Sequence, residues 1–411
     1  MPEAVIASIA RSPIGRAFKG SLTSIRADDM ATQMVRAALD QLPSLDPERL
    51  DDLLLGCGLP GGEQGFNMAR IVAVQLGYDR LPGTTITRYC SSSLQTTRMA
   101  FHAIMAGEGH AFISAGVESV SRQVTGSSDQ MPGQDPAVIE NPVFRPAQER
   151  TRERAGADTA AWADPRLNGD LPDPYIAMGQ TAENVAGLHG VSRDEQDAFA
   201  ARSQQRAVRA IADGFYDREI TPLTLPSGET VRADDGPRPG TTVEVLSGLK
   251  PVFRPDGTVT AGNACPLNDG AAAMVVMSDT LAGELGIQPL ARIVSTGVTA
   301  LSPEIMGLGP VEASRQALGR AGLTMDDMDL VEINEAFAAQ VLPSARELGV
   351  DPEKLNVHGG AIALGHPFGM TGARITATLL NGLAATGGRF GLETMCVGGG
   401  QGMAMVIERL A

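Results

Sequence analysis

Cysteine is scarce in this chain and widely spaced. Four cysteines occur in 411 residues, with no C-x-x-C pair among them: Cys57, Cys90, Cys265 and Cys396. In a large chain this pattern argues against a structural zinc site and against a disulfide framework. We therefore expect four free thiols.

Aromatic residues, basic charge and long apolar runs are also in short supply. Aromatics make up 4% of the chain, whereas 48 glycines favour close packing of helices on sheets and hence an α/β protein. The net charge of −15 argues against non-specific binding to nucleic acid or to an anionic membrane. No apolar run reaches the roughly 18 residues of a membrane span, and the N-terminus lacks the pattern of a signal peptide. We expect a cytoplasmic protein of two or more domains, with no nucleic-acid or membrane partner.

The order of apolar and turn segments suggests an internal repeat. An amphipathic helix at 30–42 and an apolar strand entered through the acidic segment 45–55 have counterparts within 313–334. A helix, a glycine turn and a strand at 103–116 are matched by the same succession at 383–399. Such units also resemble one another by chance, but the two matches favour two similar α/β halves.

Residues 121–250 differ in character from both halves, because they are rich in Pro, Gly and Asp. Loops of this length without structure are uncommon unless they are functional, so we expect an inserted subdomain over a binding site. Within it, Ser192 and Glu195 form a capping-box pattern at the start of a helix over 192–211. The insert is therefore expected to have a scaffold of its own.

Cys90 stands where a β-rich approach gives way to a helix, followed by three serines. At the start of a helix, unpaired backbone N–H groups and the positive end of the dipole stabilise a thiolate. This position predicts a nucleophile. A small buried hydrophobic residue is the alternative, since free cysteines are commonly buried.

His366 is the most promising of five histidines. Gly365 and Pro367 flank it in a tight loop before a helix that starts near Thr371. A histidine on such a loop is free to act as a general base for a nucleophile in the other half.

Two further segments carry candidate chemistry. Cys396 ends an apolar strand and is followed by the glycine run that begins at Gly398, where backbone N–H groups can approach a ligand as an oxyanion hole requires. The run lacks the G-x-G-x-x-G spacing of a nucleotide site. Asn334 and Glu335 follow a buried strand, although capping alone would explain Asn334. Two thiols and one imidazole suggest acyl transfer through a thioester, and no G-x-S-x-G serine motif occurs.

Together these residues resemble the thiolases, the family of acetyl-CoA acetyltransferase and 3-ketoacyl-CoA thiolase. The likeness runs over nearly the whole chain, in matching order. The motifs are RSPIGRAFKGSL (11–22), the Cys90 segment, MGQTAENVA (178–186), RDEQDAFAARSQQRA (193–207), TAGNACPLNDGAAA (260–273), INEAFA (333–338), GGAIALGHPFGMTG (359–372) and CVGGGQG (396–402).

The resemblance implies a fold and an assembly. The expected fold has two similar βαβαβαββ halves in a five-layered αβαβα arrangement with an inserted loop domain. The N-terminal half would comprise 1–120 and 251–280, the loop domain 121–250, and the C-terminal half 281–411. The loop domain would contribute CoA contacts and oligomerisation, and the family implies a homodimer or homotetramer.

The resemblance also implies a role for each candidate residue. Cys90 would take the acyl group, and His366 would accept the proton from Cys90 or from the incoming CoA thiol. Cys396 would act as acid and base on the acetyl carbon. Asn334 would position a water that, with His366, binds the thioester oxygen. The N–H groups of Cys90 and Gly398 would form a second oxyanion hole.

CoA and acyl-CoA are expected as substrates, with no permanently bound cofactor and no metal. In the family, residues at the positions of Met178 and Cys265 contact the pantetheine arm of CoA.

The sequence departs from the family pattern at four places. Thr87 replaces a common Asn, and Ser93 replaces a common Gly, which adds a side chain near Cys90 and leaves the shape of the acyl pocket open. Cys265-Pro266 replaces the usual Ser-Gly of the CoA-contacting motif. Ala177 stands where enzymes dedicated to acetoacetyl-CoA commonly have His. These features favour a degradative thiolase of fatty acid β-oxidation, with the chain length left open.

Two other functions compete with this interpretation. A condensing β-ketoacyl synthase shares the fold and the cysteine nucleophile, but it uses His or Asn in place of the second thiol, so Cys396 favours a thiolase. A catalytically silent CoA- or lipid-binding protein would not need an acid and a base.

Overall fold

The computed structural model describes residues 2–123, 141–156 and 162–411. Twelve strands occur in these residues: β1 (Ala4–Arg11), β2 (Gly15–Arg16), β3 (Asp52–Cys57), β4 (Gly83–Ile86), β5 (Ala111–Ser119), β6 (Leu223–Thr224), β7 (Thr230–Val231), β8 (Asn268–Ser278), β9 (Ala291–Ala300), β10 (Leu330–Ile333), β11 (Phe390–Val397) and β12 (Gln401–Arg409).

The same residues form twelve α-helices. They are α1 (Ala27–Asp40), α2 (Met68–Gln75), α3 (Ser92–Ala106), α4 (Arg145–Gly156), α5 (Met178–His189), α6 (Arg193–Ala212), α7 (Val243–Ser247), α8 (Asp279–Leu285), α9 (Gly309–Ala321), α10 (Ala338–Leu348), α11 (Ala361–Leu364) and α12 (Thr371–Thr386). No helix in the described part of the chain is long and apolar enough to cross a membrane.

Ten of the strands form one mixed sheet in the order β10-β11-β12-β9-β1-β8-β5-β3-β4, with β2 paired to β8. β3 runs parallel to β4 and β5, and β10 runs parallel to β11. The two groups of strands meet only where β1 pairs β9, through Val5 with Arg292 and Ile6 with Ala291. This narrow seam separates an N-terminal group of strands from a C-terminal group.

The two groups repeat the same order of elements. The first runs β1-α1-β3-α2-β4-α3-β5 and ends, after the insert, with β8, while the second runs β9-α9-β10-α10-α12-β11-β12. An isolated parallel bridge between Val331 and Leu355 takes the place of β4 in the second group. The internal repeat expected from the sequence is therefore present.

Three apolar cores define five layers. The first lies between α1 and α2 and the N-terminal strands, and includes Leu53 and Leu55. The second surrounds α3 and α12 between the two groups of strands, and includes Leu54. The third lies under α9 and α10. Successive residues of β3 enter alternate cores because a strand covered on both faces buries every side chain. The five-layered α/β arrangement is thus confirmed.

The insert between β5 and β8 contributes α4 to α7 and the small hairpin of β6 and β7. Residues 124–140 and 157–161 of the segment expected as an inserted domain lie outside the described residues. The expected capping box is present at α6, where Ser192 Oγ accepts the N–H of Glu195 and Glu195 accepts the N–H of Ser192. α6 then packs on α10 and α11 of the C-terminal half, so the insert is tied to the body of the molecule.

Candidate active site

Cys90 lies in a single 3₁₀ turn, Tyr89–Ser91, between β4 and α3. The strand-to-helix position expected from the sequence is confirmed. Tyr89 has a φ of 43°, a left-handed conformation that costs an aromatic residue of order 1–3 kcal/mol and is commonly found at functional turns. The thiol itself is buried, and the N–H of Gly398 donates a hydrogen bond to it.

The charge state of Cys90 differs from the expectation. Burial raises the pKa of the thiol to about 11, although the N–H groups of Gly398 and of Cys90 itself lower it and Glu118 raises it further. We expected the start of α3 to favour the thiolate, but the loss of water outweighs the helix dipole and the two N–H groups. The resting nucleophile is therefore a neutral thiol.

His366 lies between α11 and α12 with a fixed tautomer. Thr371 Oγ1 donates to the Pro367 carbonyl at 2.7 Å, so it can only accept from His366 Nδ1, which is also 2.7 Å away. The proton of the neutral ring therefore sits on Nδ1. The bare Nε2 faces Asn334 Nδ2 at 3.2 Å, and the backbone N–H of His366 is held by Asn268 Oδ1 at 2.9 Å. The lone pair that a general base needs is on the Asn334 side.

Burial, followed by the charge of Arg374, lowers the pKa of His366 to about 3. The free protein thus holds a neutral imidazole at His366 and a neutral thiol at Cys90. Proton transfer between them becomes favourable only when the negative charge moves on to a bound substrate.

Asn334 is a site residue rather than a helix cap. α10 begins four residues later, at Ala338, and its preceding residue is Phe337. Asn334 is buried, and its Oδ1 has no hydrogen-bond partner among the described residues. A buried amide oxygen without a donor is the place where an ordered water or a ligand binds. Glu335 has a structural role, since it accepts from Ser203, Asn356 and the N–H of Ile362.

Cys396 is fully buried near the end of β11. Burial, and then the charges of Cys90 and Cys265, raise the pKa of Cys396 well above its usual value. Since these interactions require proximity, the three thiols lie close to one another. The structure therefore brings both sequence-predicted reactive cysteines to one place.

The glycine run 398–400 forms the hairpin turn between β11 and β12. Gly399 and Gly400 have φ values of 76° and 79°, which glycine adopts without strain. A Cβ at Gly398 would lie 3.4 Å from Tyr89 Cγ and 3.8 Å from Met178 Sδ. Gly398 thus sits between an aromatic ring and a thioether, with its N–H directed at Cys90.

The two candidate CoA contacts also lie at the site. Met178 begins α5 beside Gly398, and Cys265 is half-buried with its N–H bonded to the Ala336 carbonyl at 3.0 Å. Both border the apolar cluster that contains Cys396. Among the described residues, no group of three or more His, Cys, Asp or Glu side chains is arranged to hold a metal ion.

Ser93 and Thr87, the two departures near Cys90, both make contacts within the protein. The Ser93 hydroxyl accepts the N–H of Ala373 on α12 at 3.0 Å, and its Cβ packs where Gly116 has no side chain. Thr87 donates to the Gly58 carbonyl at 3.1 Å. Both residues therefore connect segments around Cys90.

Sequence reasoning missed Thr371 and Glu118. Thr371 was visible as a hydroxyl residue five positions after His366, at the start of the expected helix. The position of Glu118 at the end of β5 gave no signal, because its partners come from distant segments.

Comparison with known proteins agrees with this site. The family model for the thiolase N-terminal domain matches residues 4–280, and the model for the thiolase C-terminal domain matches 287–409. This chain belongs to the thiolase family. The recognition of the family and of its fold from the sequence is therefore confirmed.

Relatives and solved structures cover the whole chain. A β-ketoadipyl-CoA thiolase of Pseudomonas aeruginosa is 45% identical over 99% of each chain. A 3-ketoacyl-CoA thiolase of Bacillus subtilis is 42% identical over 99% of this chain and 100% of its own. The human mitochondrial 3-ketoacyl-CoA thiolase in complex with CoA superposes with a TM-score of 0.84 at 36% identity, covering 99% of this thiolase and 98% of that chain.

Thr371→Val keeps the side-chain volume but removes the hydroxyl that fixes the His366 tautomer. Without it Nδ1–H is unpaired and the ring can turn or change tautomer, so we expect acylation of Cys90 to slow about 10²-fold, at the low end of what a positioned base contributes. The burst of CoA released from an acyl-CoA measures this step. Thr371→Ser, which keeps the hydroxyl, should stay within about threefold of the parent, and equal rates for the two variants would contradict the assignment.

Proposed function

We propose that this thiolase is an acyl-CoA C-acyltransferase that cleaves 3-ketoacyl-CoA with CoA, giving acetyl-CoA and a shortened acyl-CoA. The observation that carries the proposal is the proximity of two buried thiols: the charge of Cys90 raises the pKa of the Cys396 thiol, and the N–H of Gly398 favours the thiolate of Cys90. A second thiol beside the nucleophile distinguishes this chemistry from that of a β-ketoacyl synthase.

In the first half-reaction, Cys90 Sγ attacks the 3-keto carbon while His366 Nε2 takes the thiol proton. The N–H groups of Cys90 and Gly398, which favour the charged form of the Cys90 thiol in the free enzyme, then stabilise the oxyanion. The bond between C2 and C3 breaks, leaving the acyl group on Cys90. Cys396 gives its proton to the acetyl-CoA carbanion, and acetyl-CoA leaves.

The thioester oxygen of the leaving acetyl-CoA must carry negative charge while the carbanion exists. His366, once it has accepted a proton on Nε2, becomes a donor toward that oxygen. The unpartnered Oδ1 of Asn334 supports a water in the same place, because it provides the acceptor that such a water needs. One imidazole thus serves first as base and then as donor.

Before the second half-reaction, the proton held on His366 Nε2 passes to the Cys396 thiolate, which restores the Cys396 thiol and the neutral imidazole. The CoA thiol then attacks the acyl carbon on Cys90 and gives its proton to His366, which passes it to the Cys90 sulfur. The same two N–H groups stabilise the second oxyanion, and Cys90 leaves as its thiol is restored. Run backwards, these steps give Claisen condensation. CoA and acyl-CoA are substrates bound by Met178 and the Cys265 segment, the insert contributes further CoA contacts, and no permanently bound cofactor enters the cycle.

The degradative direction follows from Ala177, which replaces the histidine common in enzymes dedicated to acetoacetyl-CoA. We propose a role in fatty acid β-oxidation or in a related degradation of acyl-CoA. The β-ketoadipyl-CoA thiolase relatives point to 3-oxoadipyl-CoA as a second substrate to compare. Rates measured on a panel of 3-ketoacyl-CoA substrates that differ in chain length and in terminal group distinguish a fatty acyl substrate from 3-oxoadipyl-CoA.

We further propose a cytoplasmic homodimer or homotetramer. Four free cysteines support a reducing compartment. The edge strand β4 supports association, since one side of it pairs with no strand in the described residues.

Thiolysis itself is the direct test. Purified protein with CoA should remove the magnesium-enolate absorbance of acetoacetyl-CoA, of a longer 3-ketoacyl-CoA or of 3-oxoadipyl-CoA, assayed in parallel. Cys90→Ala should abolish turnover, because the variant lacks the thiol that carries the acyl group in this mechanism. No turnover of any of the three substrates by the parent, or full turnover by Cys90→Ala, would contradict the proposal.

Cys396→Ala tests the role of Cys396 separately from that of Cys90. The variant should still form the acyl-enzyme on Cys90, at a reduced rate, as seen by the mass of the acylated peptide. It should fail to exchange the α-protons of acetyl-CoA for deuterium, since that step needs a base at the acetyl carbon. Exchange at the parent rate would refute the role of Cys396.

A further inference from the structure

Glu118 is a buried carboxylate that the mechanism above does not use. It lies near the carboxyl end of β5 with no exposed surface. Its Oε2 accepts the N–H groups of Gly58 at 2.8 Å and of Gly369 at 2.9 Å, and its Oε1 accepts from Leu59 N–H at 3.2 Å and Gln64 Nε2 at 3.3 Å. Among the described residues it forms no ion pair. The Cys57 thiol also donates to Oε1, at 3.8 Å. A buried carboxylate held by hydrogen bonds without a cation is expensive and calls for an explanation.

The donors to Glu118 belong to the two halves of the site. Gly58 follows β3 in the N-terminal half, and its carbonyl accepts from Thr87, three residues before Cys90. Gly369 stands three residues after His366 in the loop of the C-terminal half. The single oxygen Oε2 therefore connects the turn of the nucleophile with the loop of the base.

The loops that contain Gly58 and Gly369 pack tightly around Glu118. A Cβ on Gly58 would lie 2.7 Å from Glu118 Oε2 and 2.5 Å from Phe368 Cβ. A Cβ on Gly369 would lie 2.1 Å from the Val117 carbonyl oxygen. Both loops thus approach the carboxylate as closely as glycine permits, and its length sets their separation.

Among side chains of this length, only a carboxylate can accept hydrogen bonds from all the donors around Glu118. It accepts at both oxygens and donates at neither, which suits four converging donors. A glutamine would turn an NH₂ group toward one pair of them, and two facing donors repel each other. A shorter acid would reach fewer of the four.

We propose that Glu118 is a positioning residue, whose carboxylate fixes the distance between the Cys90 turn and the His366 loop and so aligns the proton transfer. This inference rests on the proposed function, because the step it aligns is the acylation of Cys90. Glu118 itself touches no reacting atom.

The pH dependence of activity follows from the same contacts. Burial, against the four donors, raises the pKa of Glu118 to about 7. The titratable groups that face it are the Cys57 thiol, 3.8 Å from Oε1, and the Cys90 thiol. Protonation of the Glu118 carboxylate replaces one of its acceptor oxygens with a donor. The alignment of Cys90 with His366 is therefore present above pH 7 and is lost as the pH falls through that value. His366 and Cys90 titrate far outside this range.

The test compares Glu118→Gln with Glu118→Asp in the full-length protein. Glu118→Gln should lower kcat about 10²-fold, the cost of displacing a reacting group by roughly 1 Å, with the KM for CoA changed less than about twofold. It should also lose the fall in kcat below pH 7. Glu118→Asp should lower kcat too, but keep that fall.

A second measurement needs no substrate and so separates this inference from the proposed function. Iodoacetamide alkylates Cys90 in the free enzyme, and mass spectrometry of the Cys90 peptide gives the rate. Glu118→Gln should react more slowly at pH 7, because the departing iodide carries the negative charge away in this step and His366, which takes the thiol proton as the sulfur attacks, is out of line. Loss of the negative charge alone would ease thiolate formation, so an equal or faster reaction would overturn the positioning role.

Asp51→Asn serves as the matched control. Asp51 also accepts two backbone N–H groups, those of His110 and Ala111, but at the start of β5 rather than its end. It should leave kcat, its pH profile and the alkylation rate unchanged. Thermal unfolding shows whether each variant is folded, and Glu118→Asp carries the test if Glu118→Gln does not fold. An Asp variant with parent kinetics would also overturn the inference.

Discussion

The contact between the first turns of α3 and α12 is the constraint on which the site depends. The N–H of Ser93 donates to the Gly369 carbonyl at 3.2 Å, and Ser93 Oγ accepts the N–H of Ala373 at 3.0 Å. Gly372 approaches so closely that a Cβ there would lie 2.4 Å from the Leu94 nitrogen. Cys90 and His366 lie in the segments that lead into these two helices, so this contact joins the segment of the proposed nucleophile in one half to that of the proposed base in the other.

The same contact places Cys90 and His366 in the middle layer, away from water. Burial then keeps the thiol protonated and the imidazole neutral. A thiolate and an imidazolium would each require solvation that the layer does not offer. The neutral pair leaves the strongest electrostatic interactions for the moment when a substrate oxygen becomes negative. In this account the N–H groups of Cys90 and Gly398, which touch the sulfur beforehand, are ready for that oxygen without rearrangement.

Much of this arrangement could be predicted from local sequence. The Cys90 turn, the internal repeat and the Ser192 capping box depend on neighbours within a few positions or on repeated patterns, and each was predicted. The direction of Ser93 and the role of Glu118 depend on segments up to 280 positions away, which no local pattern shows. The neutral state of the Cys90 thiol could not be predicted for the same reason, since the helix start is visible in the sequence and the depth of burial is not.

The resting charge of Cys90 is the most direct test of the account. The rate of Cys90 alkylation by iodoacetamide should be followed from pH 6 to pH 11, with the modified peptide identified by mass spectrometry. The same peptide in urea, where its thiol titrates at about 8.5, provides the reference. The account predicts a rate in the folded enzyme that still rises at pH 10, toward a midpoint of about 11. A plateau reached by pH 8 would show a thiolate already present in the free enzyme and would contradict it.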